Sequence, residues 1–479
     1  MKTIPVLLFF LPALLGAQEV SRLSLRQVVE LARSQSIAAR QAATTRETRA
    51  WEYRTFQSNY KPQLLLTSRL PAFSRSFQEV VQPDGTVLFQ PVKNNNSALG
   101  LSLEQNLSKT GGTIFATTQL QRFDDLARHN TLYNGTLFAL GLVQPLFRFN
   151  GLQWDKKIEP LKYDESRQEF LEDMENISLT VSNLYFDLLL AQVNLAIADT
   201  NLVNTARILL IAGEKYDLGK TSRNEILQLR LEQLKAEKAV AAARRDVEIA
   251  TLNLRSFTGL PATEHLDLAL PMPENLPPVS AEQLLREAFE NRADAIAFGR
   301  RLLEADRAVA KAKGENGLNA NLVANLGFSN SGPRVGDLTR GPQNYQTVEI
   351  QFDVPILDWG RARARAKTAE ASRDLAKQSV EQDKETFRQQ IVTEATLFDM
   401  LKSQLALTAR ADSIASEKYQ IAQERYVLGD LGITDLSIAF AEKDQAKRDF
   451  IGSLRDYWAA YFRLRLLTLF DFEKQEKIK

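Results

Sequence analysis

The 479-residue sequence contains no cysteine and only two histidines, His129 and His265. The first absence removes a disulfide framework, thiolate metal sites and lipid attachment to an N-terminal cysteine. The second leaves no pair of imidazoles at ligand spacing. Neither sign of charge prevails: 60 Lys and Arg stand against 59 Asp and Glu, so no global bias recommends nucleic acid, an anionic surface or an acidic substrate. There is no glycine-rich phosphate loop at a strand-helix junction and no nucleophile elbow. The acidic pairs Glu172-Asp173 and Glu381-Asp383 sit on long charged helical segments and read as solvated surface, and the basic run Arg361 to Arg365, which opens a helix, reads as solvated or subunit-facing surface. Downstream of the N-terminus, no stretch approaches the roughly 18 to 20 uncharged apolar residues of a spanning helix, so a membrane crossing has to use β-strands.

What is present begins with an export signal. Lys2 supplies a positive start, Val6 to Leu15 is apolar, and Gly16-Ala17 offers small residues for cleavage. Residues 1–17 are therefore read as a signal peptide, with the mature chain beginning near Gln18.

Behind it lies a duplication. Lys215-Tyr216-Asp217-Leu218-Gly219 is echoed by Arg425-Tyr426-Val427-Leu428-Gly429, and Val143-Gln144-Pro145-Leu146-Phe147 by Asp353-Val354-Pro355-Ile356-Leu357. Both pairs keep one offset, 355 − 145 = 210 and 429 − 219 = 210. That period is far longer than a solenoid repeat and indicates two copies of one large unit. The spans expected are 18–260 for the first copy, a Pro-rich linker over 261–280, and 281–479 for the second.

Each copy reads as helix, strands, very long helix, tight turn and returning helix. Ile177, Val181, Leu184, Leu188, Ala191, Leu195, Ala198, Leu202, Thr205 and Leu209 step by four and three, the spacing of a coiled-coil seam. A return helix starts near Ser222, giving a pair over about 151–257, and a second pair is expected over about 360–470, its seam interrupted by Glu394 and Asp412. The segments before Pro145 and Pro355 instead have period two, as in Leu99, Leu101 and Leu103, or Phe138, Leu140 and Leu142. Such segments suit strands of a water-filled membrane barrel. They fall within about 63–146 and 320–355, with Ser74 to Asn96 and Asp124 to Asn134 as longer outer loops. Phe73, Phe77, Phe89, Phe147, Phe149 and Trp359 gather at strand ends and read as aromatic girdles at membrane interfaces, with ordinary core packing as the alternative. About six strands cannot close a barrel whose usual lower limit is about eight, so several copies must pool their strands and helices.

These features resemble the TolC-type outer-membrane efflux proteins, and the resemblance runs from an entry helix at Leu23 to Arg40 through Phe472. It implies an α+β membrane protein: an outer-membrane β-barrel shared between subunits, continuous with a long periplasmic α-helical barrel, internally duplicated. It further implies a homotrimer in outer-membrane lipid, working with a periplasmic adaptor and an inner-membrane pump in efflux or type I secretion. No catalytic role and no cofactor is implied. On this resemblance Leu218, Gly219, Leu428 and Gly429 are the tips that meet the adaptor. Pro145 and Pro355 are the strand-to-helix exits, and Tyr426 and Asp435 belong to the periplasmic gate. Leu431 and Ile438 stand where family members often carry an arginine and a second acid, so a gate locked by charged links is not expected. Two other classes share parts of the pattern: a periplasmic adaptor, which would carry one helical hairpin beside compact β domains, and a coiled-coil scaffold, which would have no membrane strands.

Overall fold

A computed structural model describes residues 22–261, 266–273 and 280–479. The export signal and His265, Pro277 and Pro278 lie outside the described residues. The chain divides into two compact units, and the helices over Ile37–Ser58, Gly151–Asp217 and Arg361–Leu428 contribute to both.

The first unit is built from residues Met1–Thr44, Phe170–Asn291 and Gln390–Lys479. It begins with α1 (Leu25–Gln35), opened by a capping box in which Ser24 and Gln27 satisfy each other's backbone donors. Ser36 breaks the helix, and α2 (Ile37–Ser58) follows. Two helix pairs dominate: α3 (Gly151–Asp217) with α4 (Arg223–Thr258), and α7 (Arg361–Leu428) with α8 (Ile433–Thr468). At about 1.5 Å per residue, the 67 and 68 residues of α3 and α7 make helices of roughly 100 Å. No residue of the predicted α3 seam is exposed, and Ala198 packs with Val240 and Ala243 of α4, where small side chains admit close approach.

An 18-residue window of α3 has mean hydropathy 1.3, enough by length and composition to cross a membrane. The helix still holds no run of 18 uncharged apolar residues, because Glu175, Asp187 and Asp199 divide it. Its apolarity has a packing explanation, because Ile177, Val181, Tyr185, Leu188 and Ala191 are buried in the unit's own core. In the second pair, the charges that interrupt the seam find partners on the facing helix: Glu394 meets Arg463 at 3.2 Å and Asp412 meets Lys447 at 3.1 Å.

A buried ionic cluster ties distant segments of this unit together. Glu175, with 0% exposure, accepts from Arg33 at 2.7 Å and Arg465 at 2.9 Å, and Arg465 also reaches Asp471 at 2.8 Å. Burial opposes ionisation of Asp471, but Arg465 and the backbone N–H groups of Lys474 and Glu473 outweigh it and hold the carboxyl below its usual range. The linker is partly ordered: Leu266 and Leu268 are buried, and Leu23 donates to the Asp267 carbonyl at 2.9 Å. Beyond it lies α5 (Ala281–Asn291), packed on α8. The chain ends in a small β8 (Phe470–Asp471) and β9 (Glu476–Lys477) ribbon.

The second unit, Thr45–Glu169 and Arg292–Gln389, carries the main sheet and the helical segments that enter and leave it. The strands are β1 (Gln63–Arg69), β2 (Phe73–Val81), β3 (Val87–Leu107), β4 (Gly112–Asp125), β5 (Asn130–Leu146), β6 (Asn319–Gly332) and β7 (Gln343–Asp353). All pairings are antiparallel, in the order β1-β3-β4-β5-β6-β7. β1 pairs with Ala98–Glu104 of β3 and β2 with Val87–Asn95 of the same strand. Seven strands therefore form six columns, with β1 and β2 end to end in one. Ser74 to Asn96, expected as a loop, is instead largely strand: β2 and β3 form a hairpin around Pro83-Asp84-Gly85. The charged and polar residues there hid a ladder in which Val80 lies opposite Leu88 and Val81 opposite Val87.

The helical segments of this unit are joined by stacking and ion pairs. Tyr53 lies parallel to Tyr163 at 4.5 Å. From α6 (Ala293–Gly314), Arg300 binds Glu165 and Glu304, Arg307 binds Asp155 at 2.8 Å, and Lys313 binds Glu370 at 2.9 Å.

Candidate functional site

The predicted site residues fall in two places: the helix turns in the first unit and the ends of the sheet in the second. At the α3-α4 turn, Gly219 adopts φ +74°, which a Cβ would oppose, and so stops the helix. Its N–H donates to the Tyr216 carbonyl at 2.9 Å, and the Lys220 N–H donates to the Lys215 carbonyl at 2.8 Å. The α7-α8 turn repeats the pattern: Gly429 has φ +90°, its N–H donates to Tyr426 at 3.1 Å, and Asp430 donates to Arg425 at 3.0 Å. Both are the left-handed double-bonded helix stop that glycine favours. The leucine before each glycine is presented outward: Leu218 is 71% and Leu428 76% exposed.

Tyr426 is buried. It belongs to a cluster with Tyr419, Ala422, Leu436 and Ala439, against which Ile208, Leu431, Ile433 and Phe440 pack. Lys215 of α3 stands over its ring at 4.9 Å. Burial, with the charge of Glu225 second, raises the Tyr426 phenol above its ordinary value. Nearby, Asn204 donates to the Tyr419 hydroxyl at 3.1 Å and Asn201 to Asp444 at 2.7 Å, so the end of α7-α8 is fastened to α3. Asp435 is exposed in the first turn of α8, near the positive end of the helix dipole. The structure thus puts Tyr426 inside the tip packing and Asp435 on its surface, without bringing the two into one cluster. Sequence reading missed Lys215, Ile208 and Asn204 as partners of this tip; their distance along the chain leaves no local signal.

In the sheet, register makes one face predominantly apolar and the other predominantly polar, the latter interrupted by Leu65, Phe115, Val143 and Val323. Leu64 aligns in turn with Leu103, Ala116, Leu140, Leu326 and Gln346, Leu66 aligns with Leu101 and Thr118, and on the same face Val348 lies opposite Ala324 and Ile350 opposite Leu322. The opposite face carries Gln63, Glu104, Phe115, Gly141, Asn325 and Thr347 in one aligned row, with Ser102, Thr117, Gln119, Asn321, Glu349 and Gln351 around it. Most of the large apolar residues of the first face are exposed, among them Leu64, Leu66, Val348 and Phe352. A sheet apolar outside and polar inside is the wall of a membrane barrel.

Pro145 sits within the last residues of β5, opposite Asn321, while Pro355 lies exposed just past β7. Each exit then holds an exposed aromatic in left-handed backbone, Phe147 at φ 61° and Trp359 at φ 54°. Phe73, Phe77 and Phe89 are exposed as a girdle requires, whereas Phe149 is half-exposed, with its backbone and Cβ beside Gly314. Among the described residues no cluster of His, Asp and Glu is placed to hold a metal ion.

The model of the outer membrane efflux protein family matches residues 100–260 and 284–468. The chain belongs to that family. As an outer membrane efflux protein it is a channel subunit of the outer membrane with long periplasmic helices, and the adaptor and scaffold readings are not favoured. Channels of this family are trimeric and work with adaptors and inner-membrane pumps. No functionally curated protein matches the sequence. Solved structures share the fold at low identity. A membrane protein from Pseudomonas aeruginosa is 17% identical with TM-score 0.66, over 92% of this chain and 93% of that one. The CmeC outer membrane channel of Campylobacter jejuni is 16% identical with TM-score 0.66, over 95% and 86%. The open state of the MtrE outer membrane channel of Neisseria gonorrhoeae is 16% identical with TM-score 0.61, over 93% and 88%.

Proposed function

We propose that this efflux protein is the passive exit duct of a tripartite efflux or type I secretion machine, opened at its periplasmic helix tips by an adaptor. The observation that carries this reading is the pair of matched turns, each presenting an exposed leucine, Leu218 or Leu428, on a glycine stop. Two identical apolar points on rigid helix ends suit the helical hairpin of a partner, because little chain entropy is lost on docking. An adaptor that binds the outward position of α7-α8 more tightly shifts the population toward it. The movement must strain the Tyr426 cluster, which makes Tyr426 a latch within the subunit. Asp435, repeated by three-fold symmetry, lines the entrance with carboxylates that draw cations toward it.

The test replaces both exposed leucines, Leu218→Asp with Leu428→Asp, in the full chain. Ethidium efflux is expected to fall to the level of cells lacking the protein while its amount in the outer membrane stays unchanged. Undiminished efflux would sink the tip-docking reading. For the gate, single-channel conductance of Asp435→Ala is expected to lose block by divalent cations; unchanged block removes Asp435 from the entrance.

A further inference from the structure

The two copies of the repeat differ in how much sheet they carry. The helices α1 and α2 have 11 and 22 residues, as do α5 and α6, and the second pair starts 256 residues after the first (281 − 25 and 293 − 37). Helices α4 and α8, each of 36 residues, are 210 apart (433 − 223). The difference, 256 − 210 = 46, is chain added between α2 and α3 of the first copy. It appears as two extra antiparallel columns: four columns precede α3, and only β6 and β7 precede α7. Two columns enter and leave on the same side, so the added hairpin widens the sheet without changing where the helices begin.

Both sheet edges, β1 with β2 and the outer side of β7, carry unpaired backbone groups within the apolar band. Hydrocarbon tolerates no such edge. Six columns is an even number, so β7 of one copy runs antiparallel to β1 of the next. We infer that three copies close a wall of eighteen columns, β7 pairing with the next copy's β1 so that Asp353 faces Gln63. This rests on the reading of the protein as an outer-membrane duct and on the family's trimeric state.

The register supports the closure. Direct partners run Gln63, Glu104, Phe115, Gly141, Asn325, Thr347, which lies 353 − 347 = 6 residues short of the end of β7. Joining Asp353 to the next Gln63 makes each copy advance six residues, and three copies advance by as many residues as there are columns. That ratio is the one that sets a strand tilt of about 36°. The faces also agree, since Leu64 then meets Phe352 and Leu66 meets Ile350 on the apolar side, while Thr67 meets Glu349 on the polar side. With columns about 4.8 Å apart, the backbone diameter is roughly 34 Å, against roughly 23 Å for the same ring without the added hairpins. Barrels of 16 to 18 strands hold an open aqueous channel.

Because the chain has no cysteine, introduced pairs report without background. In the full chain, Thr67→Cys with Glu349→Cys is expected to give dimers and trimers on a non-reducing gel after mild oxidation. Pairs of Thr67→Cys with Thr347→Cys or Gln351→Cys should link several-fold less. Asn325→Cys with Thr347→Cys, partners inside one copy, is the positive control. A trimer in the outer membrane whose control forms but whose Thr67-Glu349 link does not would overturn the closure while leaving the duct intact. A monomer outside the membrane would overturn both. If the variants do not assemble, electron cryomicroscopy of the unsubstituted protein decides: eighteen columns and roughly 34 Å support the inference, twelve columns refute it.

Discussion

The two helix tips share a motif and a turn yet treat their tyrosines differently. Tyr216, in the α3-α4 turn, is 44% exposed; Tyr426, at the same place in the α7-α8 turn, is 4% exposed. Both turns close on a left-handed glycine with the same pair of backbone hydrogen bonds. They diverge again at the next helix start. Ser222 caps α4 by accepting from the Glu225 N–H at 3.2 Å, whereas Gly432 begins α8 with no side-chain cap. One tip is therefore locally well capped with a free ring, and the other is weakly capped and held by its ring against α3. A short motif dictates how the chain turns; what packs behind it decides which tip is fixed.

Substituting the two tyrosines separates the tips most sharply. Tyr426→Ala empties a buried site and is expected to cost about 3 to 5 kcal/mol, lowering the melting temperature and making cells leaky to vancomycin. Tyr216→Ala should cost under about 1 kcal/mol, and equal losses at both positions would erase the distinction. The same burial has an alkaline signature. A phenol whose folded pKa is raised contributes stability that is full below its unfolded value and is lost as pH rises through the folded one. Tyr426→Phe should flatten that alkaline loss in a pH series of thermal melts.

The glycine stops should respond alike. Gly219→Ala and Gly429→Ala each force a Cβ into left-handed backbone at about 1 to 2 kcal/mol, measured as loss of melting temperature, and a cost confined to one tip would show that the turns are not equivalent. Ser222→Ala should cost about 1 kcal/mol by removing the cap of α4. The smallest effect runs the other way: Gly432→Ser, at φ −78° with no close contact at the Cβ position, should stabilise α8 by a few tenths of a kcal/mol in the same melt.

Much of the architecture was legible because it is written in local periodicity. The heptad steps of α3 gave its buried seam, Ser222 its neighbour's start, and the alternation around Leu99 to Leu103 a face of the sheet. The β2-β3 hairpin was missed because its strands mix Arg75, Glu79 and Lys93 into the pattern, so their period carries no apolar face to read. The seam of α7 looked defective for a related reason: Glu394 and Asp412 are compensated only by residues on α8 that no local window contains.

By itself the sequence determined where helices run and stop, where strands alternate and that the plan is repeated, since each depends on residues within a few turns of one another. Only the tertiary structure decided which tyrosine is buried, that Glu175 joins Arg33 and Arg465 from 142 and 290 residues away, and that β2 continues the β1 column along β3. Those outcomes depend on contacts between distant segments, whose energy resides in neither partner's local sequence and arises only when the chain has brought them together.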